Sequence, residues 1–354
     1  MRNAETLDEP CPLTAPVPQS GLAPLIEGKA ESRASCAQAA VSVCVACCST
    51  TSMPHAAVLA VARALKSVAI VRTILLSATG SEATDGVEVI AVAHGTKLSK
   101  IRHLADVVPA DLFCICDPDL SVEDESCRRV LQQAMANVRV GREVVAFGIV
   151  EGRDDGTLLS RVVAVDKWLS HHVLRRLLWT GGIGITLPGQ FLIVSPGLLR
   201  GLEPAVDSYL DDLYLGWIAR RRDIPVHRVP VVVGTEDSRL SWLSLLAQRV
   251  RWMRGLACLF RRLASHPDAI GLLAIHYLAY HGLPIVAMVA VVLLTVVNPL
   301  AGCCVFFSLA ALLSFFSGRP FFAAVAFLGV FPFVHLLATL LWCIPVSRSL
   351  LTRR

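Results

Sequence analysis

Charge is what the last third of this sequence lacks. No aspartate, glutamate, lysine or arginine occurs from Ala269 to Gly318, and after Arg319 none occurs from Pro320 to Ser347. A hydrocarbon core of about 30 Å takes roughly 20 apolar residues per helix, so runs this long exclude an ordinary soluble tail and are expected in a membrane. Charged residues make up 17% of the 354-residue chain and hydrophobic ones 54%, against about 25% and 45–50% in soluble domains. That balance excludes a disordered or collagen-like protein. Acids are also absent from Ser238 to Pro267, a stretch that holds Arg239, Arg249, Arg251, Arg254, Arg261 and Arg262 and accounts for the formal net charge of +5. Arginine clustered beside an apolar run is the positive-inside signature and predicts a cytoplasmic soluble domain. Aromatic interleaving is sparse there (Trp242, Trp252), so no nucleic-acid partner is expected.

An apolar run near the start is missing too. Residues 1–38 are polar and rich in Pro, Ala, Ser and Glu, which shows no signal peptide and predicts a disordered tail. The twelve cysteines do not form a metal pattern. Cys44, Cys47 and Cys48 contain one CxxC spacing, with no second pair at zinc spacing. Cys114 and Cys116 alternate within an apolar strand and Cys303 and Cys304 lie in an apolar run, so these side chains are expected as small buried residues in a reducing compartment.

What is present has the rhythm of an α/β sheet. Ala40–Ala46, Thr73–Ser77, Val87–Ala93 and Asp111–Cys116 read as strands, alternating with helices over His55–Val71 and Leu98–Val107. Continuous apolar strands of this kind are buried on both faces, and the alternation predicts a doubly wound sheet with ligands at the strand carboxyl ends. Further on, Glu143–Val150, Leu159–Val165 and Val226–Val233 read as strands, Lys167–Trp179 as a helix, and Leu210–Leu215 as the opening of a helix that ends at Arg220–Arg222. The expected organisation is an N-terminal tail (1–38), an α/β domain (39–237), an amphipathic interfacial helix (238–267), membrane helices (268–347) and a basic tail (348–354).

Three constellations carry chemistry. Asp117-Pro118-Asp119 follows the fourth strand, where two carboxylates can hold a divalent cation that in turn holds a diphosphate; a strand-end turn explains the same residues. Asp211-Asp212 at a helix start suits either a general base or simple capping of the helix dipole. Gln248-Arg-Val-Arg-Trp252 on a basic helix reads either as snorkelling at headgroup depth or as a diphosphate and acceptor clamp.

Their order and spacing, with a Gly-rich segment at Gly181–Val194, resemble the membrane-bound family 2 glycosyltransferases, the superfamily of cellulose, hyaluronan and chitin synthases and ceramide glucosyltransferase. The resemblance covers residue 40 to the C-terminus. It implies a Rossmann-like GT-A domain followed by transmembrane helices, and inverting transfer from a UDP-sugar to a hydroxyl on a growing polysaccharide or a membrane lipid, with Mn²⁺ or Mg²⁺. Asp117 would contact the nucleotide, Asp119 the metal, and Asp212 would act as base. Arg251 would hold the diphosphate, while Gln248, Trp252, Asp211 and Gly189 would lie on the acceptor side. Lys100, in Leu98–Leu104, matches a phosphate-side lysine of the lipid glucosyltransferases, and Ser170-His171-His172 falls where those enzymes carry a His.

Two turns depart from the family. Ala78 or Thr79 stands where an acid normally holds the uracil, and Ala46–Thr51 replaces the usual first-strand turn. A non-catalytic nucleotide-sugar-binding or scaffold relative is therefore the alternative. The arginines and the apolar runs imply different numbers of membrane crossings. Arginines before the first apolar run and Arg348, Arg353 and Arg354 after the last ask for an even number of crossings. The breaks at Asn298-Pro299 and Ser317–Pro320 leave three runs, with Pro284 a candidate break in the first. So few helices would need a second copy or a synthase partner to make a channel.

Overall fold

In the computed structural model, residues 40–49, 56–77, 86–92, 97–203, 210–237 and 241–342 are described. Residues 1–39, 50–55 and 78–85, Arg239 and the C-terminal arginines lie outside them. Eight strands form one mixed sheet: β1 (Ser42–Ser49), β2 (Ile70–Ser77), β3 (Val87–Ala91), β4 (Leu112–Cys116), β5 (Leu120–Val122), β6 (Val145–Gly152), β7 (Phe191–Val194) and β8 (Val226–Glu236), in the order β3-β2-β1-β4-β7-β6-β8-β5. The β1–β4 half is parallel, as expected. In the other half β7 runs antiparallel to β4 and β6, and β5 antiparallel to β8, so the sheet is not the wholly parallel one that an alternating βα pattern suggests.

The β1 residues divide strictly by parity. Cys44 and Ala46 join one core, Val43, Val45 and Cys47 the other, because successive strand side chains point to opposite faces. One face is covered by α1 (Ala56–Leu65) and α3 (Asp124–Val138). The other is covered by α2 (Lys97–Val107), α6 (Pro196–Arg200) and α7 (Asp211–Arg221). Cys44, Cys47, Cys114 and Cys116 are buried there as free thiols, whereas Cys303 and Cys304 are exposed. α1 ends six residues before the expected Val71 because β2 begins at Ile70, where it pairs with Ser42.

Leu159–Val165 is a helix, not a strand. α4 (Leu158–Trp168) starts at Thr157, whose hydroxyl accepts from Ser160 N. The β-branched run Val162-Val163-Ala164-Val165 suggested a strand, but it is buried helically, an instance of packing overriding propensity. A π-helical segment, Leu169–Leu174, links α4 to α5 (Arg175–Thr180).

The C-terminal part begins with α8 (Trp242–Arg262), capped by a reciprocal Ser241–Ser244 box. Its apolar face, expected on a membrane surface, is covered by protein: Leu245 packs into a cluster with α4, and Val250, Met253, Leu256 and Leu259 enter the sheet core. α9 (Pro267–Tyr277), a second π segment (Leu278–Gly282), α10 (Leu283–Val297), α11 (Pro299–Ser317) and α12 (Phe321–Leu341) follow. They contain three helices long and apolar enough to cross a membrane: Pro267–Val297, Pro299–Ser317 and Phe321–Leu341.

Candidate active site

β4 delivers the first carboxylate. All five of its residues are buried, and the chain leaves the sheet at Asp117, whose N–H donates to Gln190 O at 3.0 Å. The Asp117 carboxylate accepts from Lys97 Nζ at 2.7 Å, and the same ammonium donates to Gly189 O at 2.6 Å. Burial works against the charge on Lys97, but Asp117 and Asp211 outweigh it and hold its pKa above the ordinary lysine value. These carboxylates favour a cation at the end of β4. Lys100 lies one turn further along α2, half-buried and on the Cys48 side.

α7 delivers the acidic pair, and a close approach fixes its position. A Cβ on Gly216 would stand 1.8 Å from Ile185 O, so the helix backbone presses directly on the segment that carries Gly189. Asp211 and Asp212 occupy the first turn, where carboxylates meet the helix dipole. Their surroundings then diverge. Burial raises the pKa of Asp211, which shares its neighbourhood with Lys97 and Asp117. Asp212 lines a cavity of about 120 Å³, and burial, reinforced by the charge of Asp211 and opposed by Arg175, pushes its pKa to about 7. Gly189 sits between the two sides, its Cβ position 3.9 Å from Lys97 Nζ and 4.0 Å from Asp212 Cβ.

Gln248 and Trp252 of α8 line the same cavity, and Arg249 lies over the Trp252 ring at 4.0 Å from its centroid. Arg249 is buried and donates to Asp166 Oδ2 at 2.7 Å, so it does not snorkel. Arg251 is half-buried on the same helix, outside the cavity wall. His171 lines the cavity; burial and the adjacent Arg175 keep its pKa well below the usual histidine value. His172 turns away, stacked on Trp168 and 3.7 Å from Glu151. The far wall comes from the apolar C-terminal part: His276, Tyr280 and His281 from α9 and the π segment, and His335 from α12. Thr186 Oγ1 lies 2.9 Å from His276 Nδ1, joining the Gly-rich segment to that wall.

Asp117 and Asp119 offer hard carboxylate oxygens at a strand end. Among the described residues no group of three or more His, Cys, Asp or Glu is placed to hold a metal. This donor set fits Mg²⁺ or Mn²⁺ that takes its remaining ligands from a diphosphate and water.

The structure thus brings Asp117, Asp211, Asp212 and Gly189 together, and Gln248 and Trp252 onto the cavity with Asp212. Sequence reasoning passed over Lys97, although it begins the helix on which Lys100 was chosen. It also passed over Arg175, Asp166 and three of the four cavity histidines. Their signal was weak but present: His276, His281 and His335 are the polar rings in runs otherwise devoid of charge.

No protein-family model matches the chain, and no curated protein matches it in sequence. Solved structures do match in fold. The mannosyltransferase PcManGT from Pyrobaculum calidifontis, in complex with GDP-Man and Mn²⁺, is 13% identical with a TM-score of 0.50, over 85% of this chain and 87% of that one. Glucosyl-3-phosphoglycerate synthase from Mycobacterium tuberculosis, in complex with Mn²⁺, UDP-Glc and phosphoglyceric acid, is 17% identical with a TM-score of 0.43, over 64% of this chain and 81% of that one. At such identities the likeness is one of fold. The chain has the mixed α/β fold of the mannosyltransferase.

Proposed function

We propose that the protein is a membrane-integrated inverting glycosyltransferase that moves a sugar from a UDP-sugar to a hydroxyl acceptor. One observation carries the reading: the acidic pair that opens α7 is split, with Asp211 beside Lys97 and Asp117 at the sheet edge and Asp212 in the cavity. Ligands of α/β sheets bind at strand carboxyl ends, so the Lys97–Asp117 side suits the donor and the cavity the acceptor. A divalent cation bound at Asp117 and Asp119 would neutralise the diphosphate as it leaves. Lys97 places a further fixed positive charge there. Asp212, with a pKa near 7, takes the hydroxyl proton while the acceptor oxygen bonds to the anomeric carbon and the bond to the diphosphate breaks. Gln248 and Trp252 shape the acceptor side of the cavity.

The membrane part of the proposal uses burial. α10 has no buried residue and α11 only Gly302 and Ala310, whereas α12 buries seven residues, several of them against α4 and α8. Arg319, after α11, donates to Glu151 Oε2 of β6 at 3.3 Å. The chain therefore returns to the catalytic domain between α11 and α12. α10 and α11 form the membrane hairpin and α12 lies along the domain, which gives an even number of crossings and keeps both arginine clusters in the cytoplasm.

The test is UDP release and sugar transfer by the full chain in native-like membranes, with Mn²⁺ or Mg²⁺ and a panel of UDP-sugars. Release with one sugar, dependent on metal and lost in Asp119→Ala and Asp212→Asn, is the expected result. A folded protein that binds UDP-sugars but turns none over would instead make it a binding or scaffold subunit.

A further inference from the structure

Among the described residues that line the cavity, Arg175 and Asp212 stand outside the ion pairs. Lys167 is paired with Glu236, Arg249 with Asp166, and Asp237 with Arg153. Arg175 is only 5% exposed, yet among the described residues no carboxylate lies within ion-pair distance of it. Its Nη1 donates to the neutral ring of His171 at 2.8 Å, and its Nε has no partner. Of its neighbours the Tyr280 hydroxyl acts on it most, and after it the carboxylate of Asp212, with which it makes no ion pair. A buried guanidinium without an anion is costly, and its fork of donors matches phosphate or carboxylate geometry. Arg175 directly follows the π segment Leu169–Leu174, and such segments frequently mark functional sites.

A second buried group faces the same space. His335, which lines the cavity, is 3% exposed; its Nδ1 lies 2.8 Å from His281 Nδ1, while its buried Nε2 has no hydrogen-bond partner among the described residues. The wall that holds His281 runs straight into apolar surface, since Leu278, Leu283 and Val286 are all more than half exposed. A ligand in this cavity thus meets an unpaired cation and a polar ring at one end and lipid-facing helix at the other.

From this we infer that the acceptor is an anionic amphiphile: a membrane lipid with a free hydroxyl close to a phosphate, the phosphate received by Arg175, the tails leaving along α10. The inference rests on the transferase reading and names its acceptor class. In the reaction the lipid hydroxyl oxygen bonds to the anomeric carbon of the UDP-sugar, its proton passes to Asp212, and UDP departs with the electrons of the broken bond.

The test separates lipid binding from turnover. Full-length protein in mild detergent is titrated with dioctanoyl phosphatidylglycerol (hydroxyl, phosphate and tails), dioctanoylglycerol (no phosphate) and glycerol 1-phosphate (no tails). The expected result is at least tenfold tighter binding of the first than of either other. That preference should be lost in Arg175→Gln and largely kept in Arg175→Lys, which retains the charge if the Gln variant folds poorly. Equal affinity for dioctanoylglycerol, equal affinity for glycerol 1-phosphate, or an unchanged preference in folded Arg175→Gln would each overturn it. UDP-sugar turnover is followed separately with the same lipids in vesicles. If turnover is absent while the binding preference holds, the transferase reading fails and the anionic-lipid site stands. If turnover proceeds best on the neutral lipid, the acceptor assignment fails alone.

Discussion

Asp211 and Asp212 are chemically identical neighbours, yet they have different surroundings. Asp211 shares a charged neighbourhood with Lys97 and Asp117, where every group already has an opposite charge at hand. Asp212 faces a cavity whose nearest cation, Arg175, is not in contact with it. One residue of helix rotation, about 100°, is enough to separate a carboxylate embedded in a charge network from one poised to change protonation. The difference teaches that a motif gives residue types, and the direction of each side chain gives their roles.

The sharpest way to break this comparison is to neutralise each acid in turn. Asp212→Asn is expected to lower kcat by about 10²–10⁴-fold, the usual contribution of a positioned base, with little change in KM for the UDP-sugar. Asp211, expected on the acceptor side, shares its neighbourhood with Lys97 and Asp117, so Asp211→Asn should act chiefly on the donor, raising its KM. Steady-state kinetics with both substrates varied would decide, and equal effects from both variants would show the two sides to be one.

A second experiment moves the helix that holds both acids. Gly216→Ala places a methyl group against Ile185 O, and overpacking of this kind costs about 1–3 kcal/mol. Thermal unfolding should show the loss, with activity falling on the donor and acceptor sides together.

Removing the donor-side cation is next in size. In Lys97→Met, Asp117 loses its 2.7 Å partner and Gly189 O loses its donor. KM for the UDP-sugar should rise about tenfold, since hydrogen bonds to charged groups contribute about 1.5–3 kcal/mol. Lys100→Met should change it less than twofold, a contrast that distinguishes the two lysines of α2.

The smallest effect is in pH dependence. Deprotonated Asp212 appears as pH rises through about 7, so kcat/KM, which reports the free enzyme, should climb through an acid limb near 7. Stability should move the other way. A carboxyl whose folded pKa is raised binds more protons folded than unfolded, so its contribution is complete below the ordinary aspartate pKa and is lost as pH rises to about 7. Asp212→Asn should flatten that slope in denaturant titrations; an unaltered slope would count against the assignment.

Much of this was legible in the chain. The parallel strands announced themselves as unbroken apolar runs such as Val43–Cys47, because burial on both faces leaves no polar alternation. Asp117 and the α7 acids stood out because they end a strand and start a helix, and both are places that a local pattern marks. Lys97 was missed for the opposite reason. Two lysines three residues apart share a helix face, and only the position of the helix relative to β4 selects the one that reaches Asp117. The α4 segment was misread as a strand because its valines suit either form until α12 is packed against them.

Composition by itself determined that this protein divides into a water-folded α/β domain and an apolar helical part, since charge and its absence set the solvent each segment tolerates. Local order determined the strand-end and helix-start carboxylates. Tertiary structure alone decided which of two adjacent acids faces the cavity, which lysine clamps the sheet edge, and which of three equally apolar helices is covered by protein. Those choices depend on side chains from residues more than a hundred positions apart, such as Asp212 and His335, meeting in one space. No local pattern encodes such a meeting, because it is the packing of whole elements that creates it.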